Sequence, residues 1–305
     1  MTNRAMMGML RMHAAARLGR VVAQHESKLE LLRAVAQQDG PGSAVALGAT
    51  LRDAPPHPVF DAVTAPDDPI AVLERWMRLE RFGHTRNRTR LVDSSVTPGS
   101  VGLEHVAQDG GTIDPLADLF VWGMLAGVLE RSGCRGVSAE LTTDTGDSVV
   151  VYADGGAAGL AATVTESNAT ARILMRWSPT AERPVVPHAV ADSPDTDDTV
   201  VTALHRLVAS DLVHPWRVDE AARALAMSSR QLQRTLRAQE TTFSEAVQRA
   251  RIEAARRLML DRRVSLSEVA FCSGFSDAAH FSRLFRRHLD VPPSAYRDLA
   301  LADAE

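Results

Sequence analysis

Cysteine is nearly absent: Cys134 and Cys272 stand far apart, each inside an apolar stretch. Two thiols cannot frame a disulfide scaffold, and neither has a companion at metal-ligand spacing, so the sequence predicts reduced, buried thiols. Long hydrophobic runs are missing too. The longest, residues 115–129 ("PLADLFVWGMLAGVL"), contains Asp118 and falls short of the ~20 residues that span a bilayer. No two of the ten histidines sit at metal spacing, and neither a Ser–His–Asp set nor a carboxylate pair has a motif around it. The expectation is therefore no catalytic residue, no metal and no cofactor. Before Glu26 there are four arginines and no acid, yet the apolar core and cleavage site of a secretory signal are lacking. That pattern reads as a basic start on a cytoplasmic chain with no membrane contact.

Lysine is missing from residues 199–298, a stretch with 16 arginines against 11 acids and so a net of +5. Residues 1–198 carry 18 bases and 25 acids. A basic last third on an acidic body implies one part that meets a polyanion and one that does not.

What is present divides the chain. The run "SPTAERPVVPHAVADSPDTDDTV" (178–200) has four prolines, small polar residues and an acidic cluster, through which no regular element can pass. Before it the reading is α+β. Helices are predicted over 13–38, over 69–82 ("PIAVLERWMRLERF") and over 115–131, the last apolar all round and therefore buried, with Gly123 and Gly127 permitting close backbone approach. "TRLVDSS" and "SVGLEHV" read as strands around "VTPG". "VSAEL", "SVVVYA", "LAATVTE" and "ARILMRW" then read as a meander, with "DGG" at 154–156 as one hairpin turn. After residue 199 every signal is helical. The fold class is thus multidomain: an α+β domain over 1–180, a linker over 181–198, an all-α domain over 199–299 and a tail over 300–305.

An internal repeat lies in the last domain. "DEAARALAMSSRQLQRTLRA" (219–238) aligns with "SEVAFCSGFSDAAHFSRLFRR" (267–287), Glu220 on Glu268, Ala222 on Ala270, Ala226 on Gly274, and past the turn Leu232 on Phe281 and Arg234 on Arg283. Each copy is a helix, a tight turn and a second helix. Alanines stand where two helices cross, Gly274 suits a turn with positive φ, and Ala226 departs from that preference. Capping-box pairs mark helix starts at Ser228/Gln231, Thr242/Glu245 and Ser265/Glu268. A spacer helix over 243–261 would hold the two second helices about one DNA turn (~34 Å) apart.

With these residues in view, the stretch from Thr199 to Asp298, above all "VSLSEVAFCSGFSDAAHFSRLFRRHLDVPPSAYR", resembles the DNA-binding domain of the AraC/XylS family of bacterial transcription regulators. Residues 25–177 more weakly resemble the effector-sensing and dimerising domain of those members that lack a cupin barrel. The resemblance implies base reading by Arg230, Gln233 and Arg234 in the first unit and by Ala278, Ala279, Ser282 and Arg283 in the second. With two alanines, the second unit is expected to be the poorer reader. Phosphate contacts are expected from Ser228, Arg237, Arg286 and Arg287. The family also includes modules fused to an alkyl-accepting repair domain, but that domain needs clustered cysteines.

The resulting expectation is a sequence-specific regulator, an activator, that binds double-stranded promoter DNA, engages RNA polymerase, forms a homodimer and responds to a small, largely apolar effector. Trp76, Phe82, Phe120, Trp122 and Met124 are the candidate effector-pocket residues, with Arg86, Arg88 or Arg90 available for an acidic group. Two alternatives stay open: a nonspecific architectural DNA-binding protein, and a regulator whose front domain binds only a protein partner.

Overall fold

Ser27 and Glu30 start the first described helix by exchanging side-chain-to-backbone hydrogen bonds, a capping box that the sequence reading passed over. In this computed structural model the described residues are 27–83, 86–92, 98–142, 148–166, 168–178 and 199–302. The basic start, Val96 and Thr97 of the "VTPG" turn and the 181–198 linker lie outside them. The chain divides into two units, Met1–Ala181 and Glu182–Glu305.

The first unit opens with α1 (Lys28–Asp39), stopped at Gly40 (φ 78), then α2 (Gly42–Ala49), α3 (Pro58–Thr64) and α4 (Pro69–Glu80). A hairpin of β1 (Asn87–Leu91) and β2 (Ser100–Ala107) leads to α5 (Pro115–Arg131). Helices α3, α4 and α5 start alike. His57, Asp68 or Asp114 caps the first turn and proline follows at once, where its missing N–H costs nothing. The remaining strands are β3 (Ser138–Thr142), β4 (Ser148–Ala153), β5 (Gly156–Ala157) and β6 (Arg172–Arg176).

The six strands form one antiparallel sheet in the order β1-β2-β6-β3-β4-β5. This corrects the expected meander, because the last strand returns to the middle of the sheet. "LAATVTE" is also not a strand. Residues 162–165 make a 3₁₀ turn, with the Thr165 hydroxyl donating to the Ala162 carbonyl. No residue of that segment is buried, so nothing rewards an extended ladder there. The "DGG" turn is a tight hairpin: Asp154 (φ 51) and Gly155 (φ 77) are both left-handed and Ala153 pairs with Gly156.

Helix α5 is the core of this unit, buried on every side from Ala117 to Leu129. It crosses α2 at backbone distance. A β-carbon on Gly123 would overlap the Val45 carbonyl, one on Gly48 would overlap the Phe120 carbonyl, and one on Gly127 would lie 2.7 Å from the Ala49 oxygen. Gly123→Ala is therefore expected to cost about 3 kcal/mol through overpacking, read as a lower thermal midpoint for this unit alone. The acid inside the apolar run is also explained. Asp118 accepts from the Thr170 hydroxyl at 2.8 Å and faces His105 Nδ1 at 2.8 Å, satisfying a carboxylate that would otherwise be costly to bury.

On the other face of the sheet, Arg90, Glu104 and Arg172 align across β1, β2 and β6, and both arginines bond the central carboxylate. Burial pushes the Glu104 carboxyl up, but the two guanidiniums outweigh it and hold the group below the ordinary carboxylate range. A folded pKa below the unfolded one gives stability that is complete above the unfolded value, ~4.3, and fades as pH falls through the folded one. Glu104→Gln should lower the thermal midpoint near neutral pH. It should also lose less than wild type on acidification from about pH 5 to about pH 3.

The second unit is all helix: α6 (Val200–Ser210), α7 (Val218–Ala224), α8 (Ser229–Ala238), α9 (Phe243–Leu258), α10 (Leu266–Cys272), α11 (Ala278–Leu289) and α12 (Pro293–Ala302). Leu204, Leu207, Ala222, Leu232, Leu236 and Ala250 form the core of its first half. The second half is aromatic. Phe275, Phe281, Phe285 and Tyr296 follow one another with ring centroids 5.0–5.4 Å apart. Helix α9 is shorter than expected, ending at Leu258 rather than Asp261, because Leu260 and Asp261 bond three residues back instead of four. Its 16 residues span roughly 24 Å.

Candidate nucleic-acid interface

The two repeats fold into matching helix pairs, α7–α8 and α10–α11. Ala222 and Ala270 are buried where each pair crosses, and Leu232 and Phe281 fix each second helix to the core. The turns match as well: Gly274 has φ 80, and Ala226 takes the same left-handed conformation at φ 54 despite its β-carbon. Two of the three expected capping boxes are reciprocal, at Thr242/Glu245 and Ser265/Glu268. At α8 only half is present. The Ser228 hydroxyl accepts from Gln231 N at 3.2 Å, with no return bond.

Burying Leu232 and Leu236 turns the opposite face of α8 outward, and it carries Arg230, Gln233, Arg234 and Arg237, all exposed. Their spacing of three, four and seven residues puts them on one stripe. On α11 the same logic buries Phe281, Leu284 and Phe285 and exposes Ala278, Ala279, Ser282, Arg283, Arg286 and Arg287. Asp277 caps that helix, accepting from His280 N at 2.7 Å, and this bond holds its carboxyl below the ordinary range. The Ser282 hydroxyl donates back to the Ala278 carbonyl at 2.9 Å. Among the described residues, no hydrogen bond or ion pair engages the guanidiniums of Arg230, Arg234, Arg237, Arg283, Arg286 or Arg287. Arg256 on α9 behaves differently. It donates to the Tyr296 hydroxyl at 2.9 Å and pairs with Glu253, so it braces α9 against α12.

Each exposed stripe borders a groove. Gln233 and Arg237 face Arg217, Val218, Thr242, Phe243 and Ser244 across a cavity of about 540 Å³. Ser282, Arg283 and Arg286 face Ser267, Pro292, Pro293 and Ser294 across one of about 470 Å³. The two grooves are built alike. Arg237 and Arg286 occupy equivalent places in the repeat, and each looks onto the first turn of the next helix, α9 or α12, the positive end of its dipole, where Ser244 and Ser294 supply backbone N–H groups. An arginine beside a helix start suits an oxygen anion such as a phosphate. The sequence reading did not single out Ser244 or Ser294, which line these grooves from the first turns of α9 and α12.

The five aromatic and methionine residues expected to line an effector pocket are packed as core. Trp76 and Trp122 are 2% and 0% exposed, and each spends its indole N–H inside the unit, on Glu80 Oε1 and on the Thr170 carbonyl. Phe82, Phe120 and Met124 are buried beside them. None of the five lines a 740 Å³ cavity beside α1 and α2. Arg90 is committed to Glu104, and Arg88 donates to the Asn87 carbonyl.

The family description "Helix-turn-helix domain" matches residues 221–298. The transcriptional activator NphR of a Rhodococcus species is 30% identical over 168 residues, which cover 54% of this chain and 47% of NphR. The transcriptional regulator SirC of Salmonella typhimurium is 31% identical over 98 residues, 32% of this chain and 33% of SirC. Among solved structures, a transcriptional regulator with an AraC-type DNA-binding domain from Chromobacterium violaceum is 27% identical. It covers 32% of this chain and 89% of its own, with a TM-score of 0.31. The chain matches less than half the length of either sequence relative.

Proposed function

We propose that the chain is a sequence-specific regulator of transcription of the AraC type, binding double-stranded DNA through α8 and α11; the helix-turn-helix match over residues 221–298 supports this reading. The observation that carries this is the pair of exposed, unpaired arginine stripes, one on the second helix of each repeat. In this reading Arg230, Gln233 and Arg234 read bases from the major groove, where arginine bridges guanine O6 and N7 and glutamine pairs with adenine. Ala278 and Ala279 can offer only methyl contacts, to thymine, and Ser282 has turned its hydroxyl onto its own helix. Arg283 is left as the one strong reader of the second unit. Ser228, Arg237, Arg286 and Arg287 bind phosphates, the two grooves adding helix-start N–H groups on the same side.

The remainder of the proposal follows the division of the chain. Residues 1–180 sense a small effector and dimerise, residues 181–198 link, and residues 199–299 bind DNA in the cytoplasm and present the complex to RNA polymerase as an activator. A competition gel shift tests the core of it, at stated salt, with labelled DNA from upstream of the chain's own gene. Unlabelled promoter should compete at least 100-fold better than random DNA, in line with the ~10³-fold and greater ratios of specific binders. Equal competition would leave a nonspecific architectural protein.

A further inference from the structure

We propose that the cleft between α1, α2 and the chain after β5 is a binding site for a small organic cation: an amine on a compact apolar body. This deepens the regulator reading, on which its sensory role rests, by assigning the effector's chemical class.

The cavity measures about 740 Å³, within the ~300–1,000 Å³ of small-molecule sites. Its floor is apolar and low: Val35 from α1, Ala46 and Leu47 from α2, and Leu160 opposite, with Gly42, Ala158 and Gly159 between them. Small residues there admit a ligand close to the backbone. Gly42 is already pressed on the Ala158 carbonyl, which sets the two walls at contact distance along one edge.

The polar side chains decide the ligand. Among the described residues, only Asp39, Ser43 and Thr50 line the cleft with polar atoms on their side chains, and no lysine, arginine or histidine does. The Ser43 hydroxyl spends its proton on the Gly40 carbonyl, and the Thr50 hydroxyl spends its own on the Leu47 carbonyl at 2.7 Å. What remains toward the cleft is lone pairs, so every one of the three side chains accepts and none has a proton to give. Asp39 ends α1, whose last turn has no basic residue, so its carboxylate adds to the negative end of the helix dipole. The nearest arginines on these elements are engaged elsewhere. Arg33 pairs with Asp114, and Arg52 with Asp53 and Glu130. Among the described residues no cation pairs with Asp39. Gly42 and Ser43 also bring the first turn of α2 to the cleft, but the Ser43 and Ala44 N–H groups are spent on the Gly40 and Pro41 carbonyls, so the three accepting side chains, with the full charge of Asp39 among them, favour a donor over carboxylates and phosphates.

The test uses the full-length protein and three probes of one size: benzylammonium, benzyl alcohol and benzoate. Calorimetric titration should give an order benzylammonium, then alcohol, then benzoate, with about tenfold between the amine and the alcohol, the margin of a charged over a neutral hydrogen bond. Asp39→Asn, on the exposed last residue of α1, should erase that margin while leaving the alcohol unchanged. Ala46→Trp should fill the cleft and remove all three, with circular dichroism and promoter binding as checks on folding. Benzoate binding as well as the amine, no binding by any probe, or amine binding unchanged in Asp39→Asn would each overturn the assignment. The promoter gel shift separates the two proposals: if it succeeds while these titrations fail, the cleft falls and the regulator stands. If the amine binds and promoter selectivity is absent, the cleft stands and the regulator falls.

Discussion

Gly274→Ala is expected to lower the thermal midpoint of the second unit by roughly 12–24 °C, while Ala226→Gly, at the matching turn of the first repeat, leaves it level or slightly higher. Both residues are left-handed, with φ 80 and φ 54. A β-carbon in that conformation costs ~1–2 kcal/mol, and the first repeat already bears that cost at Ala226. At Gly274 a second penalty applies. Its β-carbon would overlap the Leu212 carbonyl and lie 2.8 Å from Arg251 Nε. Arg251 cannot move aside freely, since Nε donates to the Leu212 carbonyl at 3.2 Å and Nη2 to the His214 carbonyl at 2.9 Å, tying α9 to the loop between α6 and α7. Strain and overpacking together come to about 3 kcal/mol, and a domain near 100 residues loses ~4–8 °C for each. Ala226→Gly relieves strain but frees the unfolded chain by about 0.5–1 kcal/mol, so the two nearly cancel. Calorimetric melts of both variants decide the matter. A Gly274→Ala midpoint within a few degrees of wild type would mean the turn does not pack as described.

That contrast shows where the sequence could be read and where it could not. Gly274 announces its conformation because glycine is the residue that tolerates it most cheaply, whereas Ala226 adopts the same turn without any residue-level sign; only the repeat alignment pointed to it. Helix starts were legible at Thr242 and Ser265, each facing a glutamate three residues on, since that exchange is local, although the same signal at Ser27 and Glu30 was passed over. At Ser228 the partner is Gln231, and only the forward bond forms. Non-local facts were not legible. β6 lies between β2 and β3, a position set by which strands share the α5 face and not by their order in the chain. The proposed reading helices were accessible because amphipathic spacing fixes both faces at once: burying Leu232 and Leu236 leaves Arg230, Gln233 and Arg234 nowhere to go but outward. A pocket has no such signature. Trp76 and Trp122 look the same in sequence whether they line a void or fill one, and here both are buried with their indole N–H groups bonded inside the unit. The cleft that is present is walled by alanine, glycine and two self-bonded hydroxyl groups, residue types that periodicity treats as background.

The sharpest consequence of the proposed interface is an asymmetry between its halves. Arg234→Ala should weaken binding to a cognate promoter by ~1–3 kcal/mol, about 5- to 150-fold, and change binding to random DNA little, since a bidentate contact to guanine exists only at the right base. Arg237→Ala, beside the start of α9, should weaken both DNAs alike and reduce the salt dependence by about one counterion, the mark of a phosphate contact. In the second unit, Arg283→Ala removes the only strong reader that α11 offers. Its neighbours Ala278, Ala279 and self-bonded Ser282 contribute little discrimination before or after. Base pairs under α11 should therefore tolerate substitution in the promoter better than those under α8. Measuring cognate and random affinities for the three variants at two salt concentrations, with single-base changes across the footprint, separates these roles. Equal losses on both DNAs for Arg234→Ala would move that residue from reading to anchoring. A footprint discriminating as strongly under α11 as under α8 would mean that methyl contacts and DNA shape, rather than arginine, supply the second half of the code.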